Sequence, residues 1–352
     1  MQSLRALVIG GTGLISTALV RQLLERGDHV VVYNRGLAAI PLPEGVGRIV
    51  GDRADPRQFA ADLAKAGTFD AVFDMICYQP QDARGLIEVF AKRAGRVLVA
   101  STVDAYIKPA AKYPIDENAP LGGINDYGRG KAKCEELLFD AYEDTGFPFT
   151  TLRLVHCYGP GGAHRGHIVH SLGGRTILLD RLRKGKAIVV HGDGSSLWTS
   201  YHIEDVARAF LQAAESERTL GRAYNLSGDE TVTWDQYQRL VAAAMNAPDP
   251  EIVHIPTDLL ARLWPARAAT AADNFRFNNI FDNSAAKRDF EFTCRIPLRE
   301  GLAETIAWVD RTYGFDNSDD DHFYDELIRL WRESCASMEK TAEVSRKSCP
   351  QS

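Results

Sequence analysis

The stretch Leu4-Arg5-Ala6-Leu7-Val8-Ile9-Gly10-Gly11-Thr12-Gly13-Leu14-Ile15-Ser16 decides the fold. Residues 4–9 form a short apolar run with no polar partner face, as in a strand buried on both sides of a parallel sheet. They lead straight into a glycine-rich turn. From Thr17 to Arg26 apolar residues recur at Ala18, Leu19, Leu23 and Leu24, the spacing of one helix face. In a strand–turn–helix of this kind, glycines let the backbone approach a pyrophosphate closely. The helix N-terminus then offers free N–H groups and a positive dipole end. A second strand, His29 to Tyr33, follows at the expected distance. The stretch predicts a dinucleotide site formed by Gly10, Thr12, Gly13, Leu14 and Ile15.

Working outward, strand-like and helix-like segments alternate through the first half of the chain. Strands are expected at Leu4–Ile9, Val30–Tyr33, Arg48–Val50, Ala71–Asp74, Val97–Ser101 and Thr150–Leu154. Helices are expected at Thr12–Arg26, Pro56–Ala66, Pro80–Ala94 and Tyr127–Asp144. This alternation predicts an α/β fold, a doubly wound parallel sheet with helices on both faces. After Gly159-Pro160-Gly161-Gly162 the pattern loosens. A helix is expected over His167–Lys184, interrupted near Gly173-Gly174, and a strand at Ile188–His191. Helix Glu204–Ala214 and strand Ala223–Leu226 return to the sheet, and helix Trp234–Met245 and strand Ile252–Ile255 follow. Residues 1–160, with 200–226, read as the dinucleotide-binding domain. Residues 161–199 and 227–338 read as a smaller C-terminal substrate-binding lobe. A packing helix is expected over Phe323–Met338 and a disordered tail over 339–352.

Composition narrows the class. An apolar fraction of 45% with 25% charged residues is that of a globular chain, and 352 residues can bury a large core. The formal charge of −6 gives no general attraction for nucleic acid. No apolar run approaches the roughly 18 residues a membrane helix needs. A core strand beginning at residue 4 leaves no room for a signal peptide. The six cysteines are scattered without a Cys-x-x-Cys pair. These features suggest a reduced cytoplasmic protein with neither disulfides nor a structural metal. His164, Arg165, His167 and His170 cluster after Gly162, but their spacing is not that of a metal site.

The candidate chemistry lies after the fifth strand. Tyr127 and Lys131 are four residues apart and share a helix face. A free tyrosine titrates near pH 10, and a nearby ammonium favours the phenolate, so the pair suits proton exchange with a hydroxyl or carbonyl. No other tyrosine of the chain has a lysine four residues on. Ser101 and Thr102 end the fifth strand, where ligands bind in such sheets. Thr102 reads as the catalytic hydroxyl. Ser101 reads as a strand-end cap and is placed beside the cofactor.

These features resemble the extended short-chain dehydrogenase/reductase family, which includes NAD-dependent epimerases and dehydratases, over roughly residues 1–310. Gly10-Gly11-Thr12-Gly13-Leu14-Ile15-Ser16 is similar to its Gly-x-x-Gly-x-x-Gly, with Ser16 for the last glycine. Gly51-Asp52-Arg53-Ala54-Asp55 is similar to its motif after the third strand, which implies Asp52 at the adenine, with Arg53 beside it. The family's Ser/Thr four residues before a Tyr selects Thr102, with Tyr106. Tyr127 and Lys131 match its catalytic pair. Arg153-Leu154-Val155-His156-Cys157-Tyr158-Gly159-Pro160 and Gly192-Asp193-Gly194 through Val206 resemble its later motifs. The resemblance implies a Rossmann-type fold, a nicotinamide cofactor, and a homodimer formed by the helices after strands four and five. His156 stands where the family has a substrate-holding Asn, and Trp198 where it often has a phosphate-gripping Arg. Phe73 through Tyr78 departs from its small residues. The glycine motif and the Gly-Asp-Arg run are also similar to those of chloroplast stem-loop RNA-binding proteins.

The second strand ends Tyr33-Asn34-Arg35, with no carboxylate for the ribose 2′-hydroxyl of NAD. Asn34 and Arg35 are therefore candidate cofactor residues, and Arg35 tilts the expectation from NAD towards NADP. Cys77, His156 and Trp198 are candidate substrate-pocket residues. The expected activity is NAD(P)-dependent hydride transfer at a secondary alcohol or ketone of a sugar or sugar nucleotide, epimerase- or dehydratase-like, with Tyr127 as acid/base. A simple NADP-dependent reductase of a non-nucleotide small molecule is the alternative. A cofactor-bound RNA-binding or sensor protein is the non-enzyme alternative.

Overall fold

The computed structural model describes residues 3–38, 40–162, 168–174 and 176–348. The first half builds β1 (Arg5–Ile9), α1 (Leu14–Glu25), β2 (His29–Asn34), β3 (Gly47–Val50), α2 (Pro56–Lys65), β4 (Phe69–Asp74), α3 (Pro80–Phe90), β5 (Ala94–Thr102), α4 (Asp126–Thr145) and β6 (Phe149–Leu154). Then come β7 (His156–Tyr158), α5 (Ile177–Arg183), β8 (Ile188–His191), β9 (Leu197–Trp198), β10 (Ser200–His202), α6 (Ile203–Glu215), β11 (Arg222–Leu226), β12 (Val232–Thr233), α7 (Trp234–Ala244) and β13 (Ile252–Ile255). Helices α8 (Thr257–Leu263), α9 (Pro265–Thr270), α10 (Ser284–Phe290), α11 (Leu298–Tyr313) and α12 (His322–Ser348) follow.

Seven strands form one parallel sheet in the order β11-β6-β5-β4-β1-β2-β3. The winding reverses between β1 and β4, so their carboxyl ends open a crevice where a ligand can enter. The unbroken apolar run of β1 has a plain reason. Ala6 and Val8 pack with Leu19 and Leu23 of α1 and Phe210 of α6 on one face. Leu7 and Ile9 pack with Phe59 of α2, Leu86 of α3 and Leu138 of α4 on the other. Both faces are covered, so neither position can be polar. Two further apolar clusters lie in the second half. Trp198, Trp234, Tyr237 and Phe275 centre one, and Tyr324, Leu327 and Ile328 of α12 seal the other.

Two expectations are corrected. The helix expected over His167–Lys184 is helical only at Ile177–Arg183. Described residues 168–174 are not helical, and Gly174 at φ +142° lies far from helical backbone. The tail expected to be disordered from residue 339 continues α12 to Ser348. Ion pairs one turn apart, Arg329–Glu333 and Lys347–Glu343, lie along that helix. Polarity alone suggested disorder, but these residues are also good helix formers. No helix of the described residues is long and apolar enough to cross a membrane.

Candidate active site

Thr12 to Ile15 line one end of a single cleft of about 1350 Å³. That exceeds the size of a site for one small molecule. Gly11 adopts φ +76°, and a Cβ there would fall 2.4 Å from Val32 of β2. Helix α1 follows Gly13, with no side-chain cap and no acidic residue in its first turn. By contrast Asp55, Asn125 and Thr233 cap α2, α4 and α7. An uncapped helix end facing a cleft keeps its N–H groups and positive pole free for an anion. A pyrophosphate therefore fits the residues present. Ser16 stands where the resembling motif has a glycine; it is buried and lines the cleft.

One wall of the cleft is built from the ends of β2 and β3. Asn34 donates its amide to the Gly10 carbonyl at 3.1 Å and accepts from the Gly36 N–H, tying the glycine turn to β2. Arg35 is exposed at the cleft rim. Asp52 lines the cleft and accepts from the Ala54 N–H. Arg53 also lines it, with both terminal nitrogens of its guanidinium turned inward. Nη1 lies 2.5 Å from buried Asp74, and Nη2 donates to the Asp82 carbonyl. Asp74, which departs from the family pattern, is thus the partner of Arg53.

At the end of β5 the chain turns through a short 3-10 turn, Val103–Ala105, capped by the Thr102 hydroxyl. Helix α4 docks on this turn through glycine. A Cβ on Gly128 would meet the Asp104 carbonyl oxygen at 2.1 Å, and one on Gly130 would meet the Tyr78 carbonyl oxygen at 2.5 Å. These two close approaches bring Tyr127 and Lys131 to the end of β5. Lys131 is buried and donates from Nζ to the Ala100 carbonyl at 2.5 Å. Its Nζ lies 4.7 Å from the Tyr78 ring centroid and 5.8 Å from that of Tyr127.

The titration of Tyr127 differs from the expectation. Partial desolvation in the cleft wall raises its pKa above the ordinary value, and the Asp104 carboxylate and Tyr78 add to the rise. The Thr102 hydroxyl opposes it. Lys131 is held against a main-chain carbonyl, and burial lowers its own pKa.

Other expected residues are placed as follows. Ser101 borders the cleft, but its hydroxyl donates to buried Glu135, which is paired with Arg153 at 2.7 Å. Arg153 donates in turn to the Tyr106 hydroxyl, so Tyr106 belongs to a buried network. Cys77 is corrected: it is fully buried beside Cys134 of α4, facing the sheet core and not the substrate. His156 and Trp198 do reach the cleft, with ring centroids 5.9 Å apart. His164, Arg165 and His167 lie outside the described residues. His170 borders the cleft, only 5% exposed, with both ring nitrogens unpartnered. Burial, with Arg267 nearby, lowers its pKa to about 3. Among the described residues no cluster of three or more His, Cys, Asp or Glu could hold a metal.

Sequence reasoning missed Tyr78, Asp104, Lys108, Asn274 and Asn279. Lys108 is buried with Nζ on the Asn274 and Asn279 carbonyl oxygens at 2.5 and 2.6 Å. Asn274 donates to Asp104. A widened helical turn, Ala271–Phe275, sets Asn274 and Phe275 on the cleft. The run Asn274, Asn278 and Asn279 was the only local hint.

A glycine turn at the head of β1 and a Tyr–Lys pair beside β5, sharing one cleft, define a dinucleotide-dependent α/β enzyme. The chain belongs to the NAD-dependent epimerase/dehydratase family, whose profile matches residues 6–227. It is 28% identical over 285 residues to 2′-dehydrokanamycin reductase of Streptomyces kanamyceticus, covering 80% of this chain and 77% of that one. It is 27% identical over 263 residues to a chloroplast stem-loop binding protein of 41 kDa of Arabidopsis thaliana, covering 71% and 65%. Its fold matches UDP-glucose 4-epimerase of Thermotoga maritima with a TM-score of 0.71 at 22% identity, covering 88% and 99%.

Proposed function

We propose that the chain transfers a hydride between a nicotinamide cofactor and a secondary alcohol or ketone of a sugar or sugar derivative. The observation that carries this reading is that Tyr127, Lys131 and Thr102 border the same cleft as the uncapped α1. Gly10, Thr12, Gly13, Leu14 and Ile15 hold the pyrophosphate. Asp52 and Arg53 flank the adenine, Asn34 and Arg35 the adenosine ribose, and Ser101, Tyr127 and Lys131 the nicotinamide ribose. When bound, the nicotinamide supplies or accepts the hydride. The Tyr127 Oη takes the proton of the alcohol during oxidation and returns it to the carbonyl oxygen during reduction. Thr102 orients the reacting oxygen. Lys131 keeps a positive charge within reach of the phenol while the Ala100 carbonyl fixes its position. Arg35, with no carboxylate beside it on β2, favours NADP. The chain acts in the cytoplasm as a homodimer through α3 and α4.

Replacing Tyr127 by Phe tests this. Turnover should fall by about 10²- to 10⁴-fold, with cofactor affinity changed by no more than a few-fold. Unchanged turnover would remove Tyr127 from the reaction. A stoichiometric change in nicotinamide absorbance identifies net reduction or oxidation. Isomerisation without such a change identifies an epimerase, which regenerates its cofactor.

A further inference from the structure

The turn after β4 is where the chain departs from the family's small residues, and it lies beside the Tyr127–Lys131 pair. Tyr78, at the end of Met75-Ile76-Cys77-Tyr78, lines the cleft and is 43% exposed. It belongs to none of the four apolar clusters, so core packing does not account for it. Exposed aromatic surface in a concave wall marks a ligand contact. The main chain that carries the ring is tied to three elements. The N–H groups of Tyr78 and Gln79 both donate to Asp82 Oδ2 of α3 at 2.9 Å. Asp82 pairs with Nε of Arg53 at 3.2 Å, and Nη1 of the same guanidinium lies on Asp74 at the end of β4. On α4, the missing side chain of Gly130 leaves room for the Tyr78 carbonyl.

The Lys131 ammonium lies over this ring. Nζ is 4.7 Å from the Tyr78 centroid, against 5.8 Å from that of Tyr127, and the two rings are 6.1 Å apart. Lys131 is buried, and among the described residues it makes one hydrogen bond, to the Ala100 carbonyl. An ammonium carries three donors. One carbonyl fixes its distance from β5 but leaves it free to swing about that contact. The negative face of an aromatic ring attracts a cation, and more strongly when water is excluded. The Tyr78 ring therefore supplies the second contact that sets the direction of the ammonium.

We infer that Tyr78 is a positioning residue for the nicotinamide half of the cofactor, its ring face holding the Lys131 ammonium towards the ribose hydroxyls. This rests on the hydride-transfer reading, in which Lys131 holds that ribose. The aromatic face carries the effect, and the Tyr78 hydroxyl does not. Binding tests it without a substrate. The full chain and its variants are titrated by calorimetry with NADPH and NADH, and with 2′,5′-ADP and ADP, which lack the nicotinamide ribose. Tyr78→Leu should weaken the preferred dinucleotide about tenfold. The matching fragment, which also reports that the variant is folded, should change by less than about twofold. Tyr78→Phe and Tyr78→Trp keep a ring face and should stay within about threefold of the natural chain. In a Lys131→Met background, Tyr78→Leu should cost less than about twofold more, since the ring then has no ammonium to hold. Natural affinity in Tyr78→Leu, a Tyr78→Phe chain as weak as Tyr78→Leu, an equal loss for the fragment, or the full loss in the Lys131→Met background would each overturn the inference and leave the hydride-transfer reading standing. Unchanged turnover in Tyr127→Phe, with the Tyr78 variants behaving as expected, would overturn only that reading. A natural chain that binds neither dinucleotide would overturn both.

Discussion

Lys131 gives its ammonium to the main-chain carbonyl of Ala100, 2.5 Å from Nζ to oxygen, while the centroid of the Tyr127 ring lies 5.8 Å away. The lysine is thus anchored near the carboxyl end of β5. The phenol beside it is held above its ordinary pKa, chiefly by desolvation and next by Asp104.

Replacing Lys131 by Met should lower turnover by about 10²-fold or more and weaken cofactor binding, since a buried positioning cation is lost. Lys131→Arg should not restore activity, because a planar fork cannot replace an ammonium seated on one carbonyl. In the natural chain the raised Tyr127 pKa makes the phenolate scarce near neutrality. Its kcat/KM for alcohol oxidation should therefore climb between about pH 7 and about pH 9. A flat profile, with steady-state rates measured at saturating cofactor, would contradict this.

Arg35 stands exposed at the rim beside Asn34. Arg35→Ala should raise KM for NADP roughly tenfold or more and leave KM for NAD nearly unchanged, because only a 2′-phosphate needs the guanidinium. Equal effects on both cofactors would show that Arg35 does not read the ribose.

Glu135 and Arg153 form an ion pair beneath β5, each almost wholly buried. Glu135→Gln leaves the Arg153 charge without its counter-charge and should cost about 3–5 kcal/mol. Denaturant unfolding would report it as a lower midpoint at unchanged slope. The double change Glu135→Gln with Arg153→Met should recover part of the loss, since no buried charge then remains. A fully additive double variant would argue against the pair.

His170 carries a pH signature. Its pKa is lowered to about 3 by burial and then by Arg267, against a free value of about 6.5. A depressed folded value means that the unfolded chain binds the proton first. The stability contribution is complete above about pH 6.5 and is lost progressively as pH falls towards the folded value. Between pH 6.5 and pH 5 the expected loss is about 2 kcal/mol. His170→Phe should show a shallower acid dependence in denaturant melts than the natural chain does. Identical slopes in the two proteins would refute the assignment.

Much of the architecture was legible because it depends on local periods. The apolar runs that mark the strands are short and can be read within a few residues, and the helix faces between them repeat at 3.6 residues. The glycine turn and the four-residue spacing of Tyr127 and Lys131 are equally local. Cys77, Arg53 and Ser101 were harder to place, because sequence position locates them near the cleft but not the direction in which they point. Cys77 turns to Cys134, Arg53 to Asp74, and Ser101 to Glu135. Each partner lies far along the chain, and no short window contains both members.

The sequence by itself determined a parallel sheet wound on both faces, a glycine-rich turn after the first strand, and a tyrosine and lysine on one helix face. These follow from backbone sterics and from the repeat of apolar residues, which need no knowledge of distant contacts. Tertiary structure alone decided how the site is assembled. Gly128 and Gly130 let α4 touch the main chain after β5, Ala100 captures Lys131, and Lys108 draws Asn274 and Asn279 together from more than 160 residues away. Close packing sets these contacts, because a missing Cβ or an unpaired buried charge takes effect only when the neighbouring element is in place.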